Sequence, residues 1–236
     1  VQGRGNAPLD TPRPAYALLF CPQADNPLCS VILRWKGDLF MPGFEKVRKN
    51  LEAHGFDVTC FDTAAEAADY LDRRLDGKTV GHGGSITLKE LGLLDRLQSH
   101  AVVRSHWLGD SFADAAAAPV YLTSVNALAE TGELINIDGT GNRVASTIFG
   151  HEEVYFIVGV NKLAPDYDAA LWRARNVASP KNARRLGKKT PCAVRGDKCY
   201  DCKSPERICR ALVVLWERPT GIGRAEVVLV NEPLGY

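Results

Sequence analysis

The chain has 236 residues, 45% apolar and 24% charged, a globular profile with room for one substantial domain and not comfortably for two. Lysine and arginine number 29 against 28 aspartate and glutamate, so no global field favours nucleic acid or an anionic membrane surface. No apolar run approaches bilayer length, and the stretch 16–21 is too short for a signal-peptide core, so the expectation is a cytoplasmic protein.

Residues 1–40 carry Pro8, Pro12, Pro14, Pro22 and Pro27 and show no sustained period. Met41 is the single methionine, and a helical pattern begins directly after it. Two readings stand: a native start at Met41, which makes 1–40 a non-native extension or loose arm, or a short strand at 30–35 packed on the edge of the domain. Residues 41–236 read as one domain with a cysteine-rich insertion at 190–210.

After Met41, Phe44, Val47 and Leu51 recur at helical spacing, and Gly55 is placed as a C-terminal stop. A strand follows at 56–61. Thr63 and Glu66 have capping-box spacing, and Ala64, Ala67, Ala68 and Leu71 form the apolar face of the helix they open. Further strands are expected at 78–81, 101–104, 120–123, 134–137, 154–160, 211–216 and 225–230, with helical patterns at 111–118, 143–149 and 166–177. Such alternation predicts an α/β fold with a mostly parallel sheet covered on both faces. The continuous apolar run from Val154 to Val158 suits a central strand. The last two strands read as a hairpin across 217–224. Sites in open sheets of this kind gather at the C-terminal strand ends.

Four segments carry chemistry. In the first, Gly81, Gly83 and Gly84 follow a strand, and Ser85 with Thr87 opens a helix, a backbone seat for phosphate or carboxylate. The spacing is neither a Walker loop nor a dinucleotide fingerprint, and a plain strand-to-helix turn capped by Ser85 explains it equally. His82 could place a proton donor inside this loop. The second segment runs from Asn126 to Val144 and crowds Asp138, Thr140, Asn142 and Arg143 around Gly139 and Gly141, with Glu130 before a hairpin turn. It can present an acid/base group and an anion clamp, or simply turn residues and caps. In the third, Lys162 ends the 154–160 strand, placed either to meet an anion or to start a surface loop.

The fourth segment holds Cys192, Cys199, Cys202 and Cys209, four of the seven cysteines within eighteen residues. Clustered thiolates with a central C-x2-C pair suit zinc or an iron–sulfur cluster, and reduced or redox-sensing thiols are the alternative. The spacing matches neither the usual zinc ribbon nor the ferredoxin run. No Gly-x-Ser-x-Gly elbow supports a serine hydrolase.

Taken in order, Thr79-Val-Gly-His-Gly-Gly-Ser85, Tyr121-Leu-Thr-Ser-Val-Asn-Ala127, Asn136-Ile-Asp-Gly-Thr-Gly-Asn-Arg-Val144, Ile157-Val-Gly-Val-Asn-Lys162 and Arg175-Asn-Val-Ala-Ser-Pro180 resemble successive signatures of the lactate-utilisation (LUD) domain family. The run from Pro191 to Cys209 and the closing Leu234-Gly-Tyr236 resemble a short-chain branch of it. The resemblance covers Phe44 to the end. It implies a three-layer α/β/α sandwich of the NagB/RpiA/CoA-transferase-like group, in which Gly83, Gly84 and Ser85 would hold a phosphate, Asp138 would carry acid/base chemistry and Lys162 would follow a later strand. The residue pattern itself adds Asn126, Gly139, Asn142 and Arg143 to the candidate ligand-binding set, and Glu130 joins Asp138 and Lys162 as a candidate catalytic residue. The resemblance further implies an accessory role in oxidising L-lactate or a related 2-hydroxy acid, beside iron–sulfur oxidoreductase subunits or in a homo-oligomer. The chain lacks the ferredoxin-like domain of the larger family members, and His82 stands where an apolar residue is expected. Two other classes remain open: a stand-alone isomerase- or transferase-like enzyme on a phosphorylated or CoA-linked substrate, and a metal or iron–sulfur binding module.

Overall fold

The structure is a computed structural model, and it describes residues 43–236. The expectations for residues 1–40, the strand at 30–35 included, lie outside the described residues. Three elements open the domain: helix α1 (Glu45–Ala53), strand β1 (Asp57–Phe61) and helix α2 (Ala64–Arg74). Helix α2 starts on the capping box its sequence calls for, with the Thr63 hydroxyl accepting from the Glu66 amide and the Glu66 carboxylate accepting from the Thr63 amide. Strand β2 (Thr79–His82) leads into the short helices α3 (Ile86–Glu90) and α4 (Leu93–Leu97), then strand β3 (Val102–Ser105), helix α5 (Phe112–Ala116) and strand β4 (Val120–Thr123). Next come β5 (Ala127–Ala129), β6 (Leu134–Asp138), α6 (Asn142–Ser146), β7 (Glu153–Gly159) and the two-residue β8 (Leu163–Ala164). Helix α7 (Tyr167–Arg173) runs through a π turn at Ala174–Ala178 into α8 (Ser179–Arg185), followed by α9 (Pro191–Arg195), β9 (Ala211–Leu215) and β10 (Arg224–Val230).

Six strands form one parallel sheet in the order β1-β10-β7-β4-β2-β3. Its central strands β10, β7 and β4 are apolar at consecutive positions because both faces are covered. Val80, Val120, Leu122, Tyr155, Ile157 and Val228 face α2 and α4, packing on Ala67, Leu71, Leu93 and Leu97. The alternate residues Tyr121, Val154, Phe156, Val158, Val227 and Leu229 pack on Val47 and Leu51 of α1 and on Leu128, Leu134 and Leu215. That side carries a second sheet, ordered β8-β5-β6-β9, whose far face meets Ala170 and Ala174 of the α7 segment. The result is the three-layer α/β/α architecture, with a small mixed sheet built into one outer layer.

The expected terminal hairpin is not formed. Strand β9 pairs antiparallel with β6, from Ala211 opposite Asp138 to Leu215 opposite Leu134, while β10 enters the large sheet between β1 and β7. The two strands have different burial needs. Ala225 to Val230 are buried without a break, which only an interior position supplies, whereas Leu212 is left 49% exposed on a one-sided strand. Strand β6 likewise leaves the βαβ series and turns back antiparallel on β5.

Gly81 is the tightest point between sheet and helix. A Cβ there would lie 2.0 Å from the carbonyl oxygen of Ala115 in α5. Backbone on both sides leaves nothing to yield, so Gly81→Ala should lower the unfolding free energy by about 3 kcal/mol, read as a fall in the urea midpoint at unchanged slope.

Candidate functional site

Strands β2, β4 and β7 lie side by side, and the segments leaving their C-terminal ends meet over the sheet edge. From β2 comes the loop Gly83–Ser85, from β4 the segment Ser124–Asn126, and from β7 Lys162. The cleft between them measures about 90 Å3 and is lined by Gly84, Ser85, Thr87, Ser124, Lys162 and Arg185, among others. A neighbouring hollow shares Gly84, Asn126, Arg143 and Arg185 with it and extends past Asp138 and Gly139. The glycine loop, the Asp138 loop and Lys162 are therefore on one side of the molecule and in one place.

Gly83 is glycine for a local reason. A side chain would collide with the Tyr121 hydroxyl, 2.4 Å from the Cβ position, and with the Asn142 amide at 2.9 Å. The close approach draws the loop onto the sheet edge, and Ser85 then caps α3 by accepting from the Leu88 amide at 3.4 Å.

Lys162 is the most unusual group. Its side chain is 2% exposed, and its Nζ donates to Thr87 Oγ1 at 2.6 Å and to Ser124 Oγ at 2.7 Å. Ser124 in turn donates to the Ile157 carbonyl at 2.6 Å, so its hydroxyl oxygen is free to accept from the lysine. No ion pair to Lys162 occurs among the described residues. Burial, followed by repulsion from Arg173 and Arg143, pulls its pKa down to about 7. Arg173 is buried nearby, donating to Asn161 O at 2.9 Å and to Asn126 O, and burial lowers its pKa to about 10. The segment Leu234–Tyr236 closes over this region: Asn161 holds both Leu234 N and Gly235 O, at 3.1 and 3.2 Å.

Arg143 and Asp138 are occupied by the protein itself. The guanidinium of Arg143 donates to Asn136 Oδ1, to Ile137 O at 2.7 Å, and to Ser124 O and Asn126 Oδ1 at 3.3 Å, with Asp138 3.7 Å from Nε. Its two terminal nitrogens are spent on joining β6 to the β4 exit and Nε faces Asp138, so its main contribution to the cleft is charge. Asp138 Oδ1 accepts from the amides of Gly139, Thr140 and Gly141, and Oδ2 from Val144 N. This carboxylate organises its own loop in the manner of a turn residue and helix cap. Asn126 does similar work, accepting from Ile137 N at 2.7 Å.

Glu130 is not among the residues lining the cleft. It sits in the turn between β5 and β6, where its carboxylate pairs with Lys46 of α1 at 2.9 Å. His82 is buried at the end of β2, with Nδ1 3.3 Å from Gly84 N as acceptor and its ring edge-on to Trp107. Burial and the nearby His106 push its pKa down to about 4, so at neutral pH it holds the loop as a neutral imidazole. Arg185 and Asn182 line the cleft without having carried any local sequence signal, and Tyr236, from the closing Leu234-Gly-Tyr236 run, lines it as well.

An open parallel α/β protein with a cationic cleft at its strand ends is the class this geometry defines. The LUD domain model matches residues 44–230, and the chain belongs to that family, a lactate-utilisation type of protein at the family level. Among solved structures it is similar to a DUF162 family protein from Deinococcus radiodurans, at 14% identity and a TM-score of 0.49, with 79% of this chain and 94% of that one covered. No curated protein matches the chain. Among the described residues, no helix is long and apolar enough to cross a membrane.

Proposed function

We propose that the protein holds a small carboxylate or phosphate in the Lys162 cleft, and that it serves oxidation of L-lactate or a related 2-hydroxy acid as an accessory component. The observation that carries the reading is a buried ammonium with no ion pair among the described residues. An ammonium removed from water is costly unless an anion joins it, and Lys162 has two hydroxyls and two neighbouring guanidinium groups around it, with the Glu90 carboxylate only a weaker, partly offsetting influence. A bound carboxylate would supply the missing charge, with Lys162 and Arg185 both lining the cleft that receives it. Glu130 has no part in this site, and Asp138 shapes the loop rather than moving a proton.

Thermal shift against lactate, pyruvate and inorganic phosphate tests the binding, because a ligand stabilises the native state in proportion to its concentration over Kd. Stabilisation by at least one of them, lost in Lys162→Met, is expected; no shift with any would end the reading. Affinity should also depend on pH in one direction. The anion pairs with protonated Lys162, whose pKa in the free protein is about 7, so binding should weaken about tenfold per pH unit above neutrality and level off below it. Titration by calorimetry from pH 6 to 9 reads this out. The accessory role has its own check: deleting the gene should impair growth on lactate and lactate oxidation, and normal growth would count against it.

A further inference from the structure

The structure assigns a second site: Cys192, Cys199, Cys202 and Cys209 form the cradle of a polynuclear iron–sulfur cluster. All four thiols are half-buried, none is in a disulfide, and all four line one small hollow closed by Pro180, Ala183 and Ile208. The chain brings them there from two directions. Cys192 lies on α9, next to the Thr190 hydroxyl at 3.3 Å, while the other three come from the long loop before β9.

That loop is shaped around sulfur. Asp201 is the one non-glycine residue with positive φ among the described residues, at 44°, and this conformation turns its amide onto Cys199 Sγ at 3.3 Å. Arg175 donates to the same sulfur at 4.0 Å. Arg207 clamps the loop by donating to Cys202 O at 2.9 Å and to Cys209 O at 2.8 Å, and both arginines pair with Asp201. N–H donors and cations around thiolates are what an anionic cluster needs, since hydrogen bonds to sulfur and local charge hold it in place and set its potential.

A single zinc ion would take four sulfurs about 2.3 Å from one centre, whereas in a cluster each thiolate binds its own iron and the sulfurs surround the space they share; metal and sulfide content tell the two apart. The site is distinct from the Lys162 cleft, but Ser179 and Ile208 line both this hollow and the one beside Asp138.

The test is anaerobic purification of the full chain, or reconstitution of it with ferrous iron and sulfide. Iron and acid-labile sulfide in equal amounts, several of each per chain, are expected, with a broad visible charge-transfer band that bleaches on reduction. Cys199→Ser and Cys209→Ser should lose most of the iron and the band, while Cys60→Ser, a half-buried strand cysteine, should keep both. Circular dichroism separates loss of cluster from loss of fold. One zinc per chain without sulfide, no metal at all, or iron retained by both folded serine variants would each overturn the assignment.

Discussion

Replacing Lys162 by methionine should make the ligand-free protein more stable at neutral pH while abolishing its response to small anions. The sign follows from linkage. The folded-state pKa of Lys162 lies at about 7, against 10.5 for an unperturbed lysine, so between those values the unfolded chain binds more protons than the native one. Folding therefore works against protonation throughout the acid and neutral range. The cost is complete below about pH 7 and fades as pH rises towards 10.5. Methionine fills a similar volume and carries no charge. Its neighbours keep partners of their own, since Ser124 still donates to Ile157 O and Thr87 to Leu234 O. Substituting a buried charge by an apolar isostere is worth about 1–4 kcal/mol, and a gain in that range is expected at pH 7. Urea midpoints measured from pH 6 to 10 should rise for the wild type and stay flat for the variant in so far as this group decides them. A variant less stable than wild type at every pH would mean that Lys162 is already compensated, and the anion site would lose its rationale.

The same residue shows what could be read without a structure. A lysine directly after a continuous apolar strand is a local pattern, and the strand ends of an open sheet are where sites collect, so its position was legible. Its partners were not. Thr87 stands 75 residues away and Ser124 38, and nothing near either one marks it as facing a lysine. The capping box at Thr63 and the β7 core strand were visible because each is complete within a few residues. The hairpin expected from β9 and β10 failed because an eight-residue gap between two apolar runs looks alike whether the strands pair or part into different sheets. Burial on one face or two decided it, and that is a property of neighbours. Glu130 was drawn toward the cleft by its closeness in sequence to Asp138, yet its turn points to α1 and finds Lys46 there.

Arg143 poses the sharper test of role, because the sequence offers it as an anion clamp and the structure gives its donors other work. Arg143→Ala should destabilise the fold by about 3–5 kcal/mol, the range for removing one partner from a buried charged network. Asn136 Oδ1 and the carbonyls of Ser124 and Ile137 would lose a donor together, and Asn136 and Ser124 are buried while Ile137 is half-buried. Arg143→Lys should recover only part of the loss, since one ammonium cannot reproduce a planar fork that reaches four acceptors. Electrostatics move the other way. Arg143 is one of the cations that depress Lys162, so in either variant that remains folded at low temperature, the Lys162 pKa rises if the charge is gone and holds if lysine keeps it. Anion binding by Arg143→Ala should then persist to higher pH than in the wild type, with Arg143→Lys staying near the wild-type profile. A direct clamp behaves oppositely: removing it weakens anion binding at every pH by more than the stability change accounts for. Calorimetric affinities across pH, set beside the urea midpoints of the same variants, separate the two.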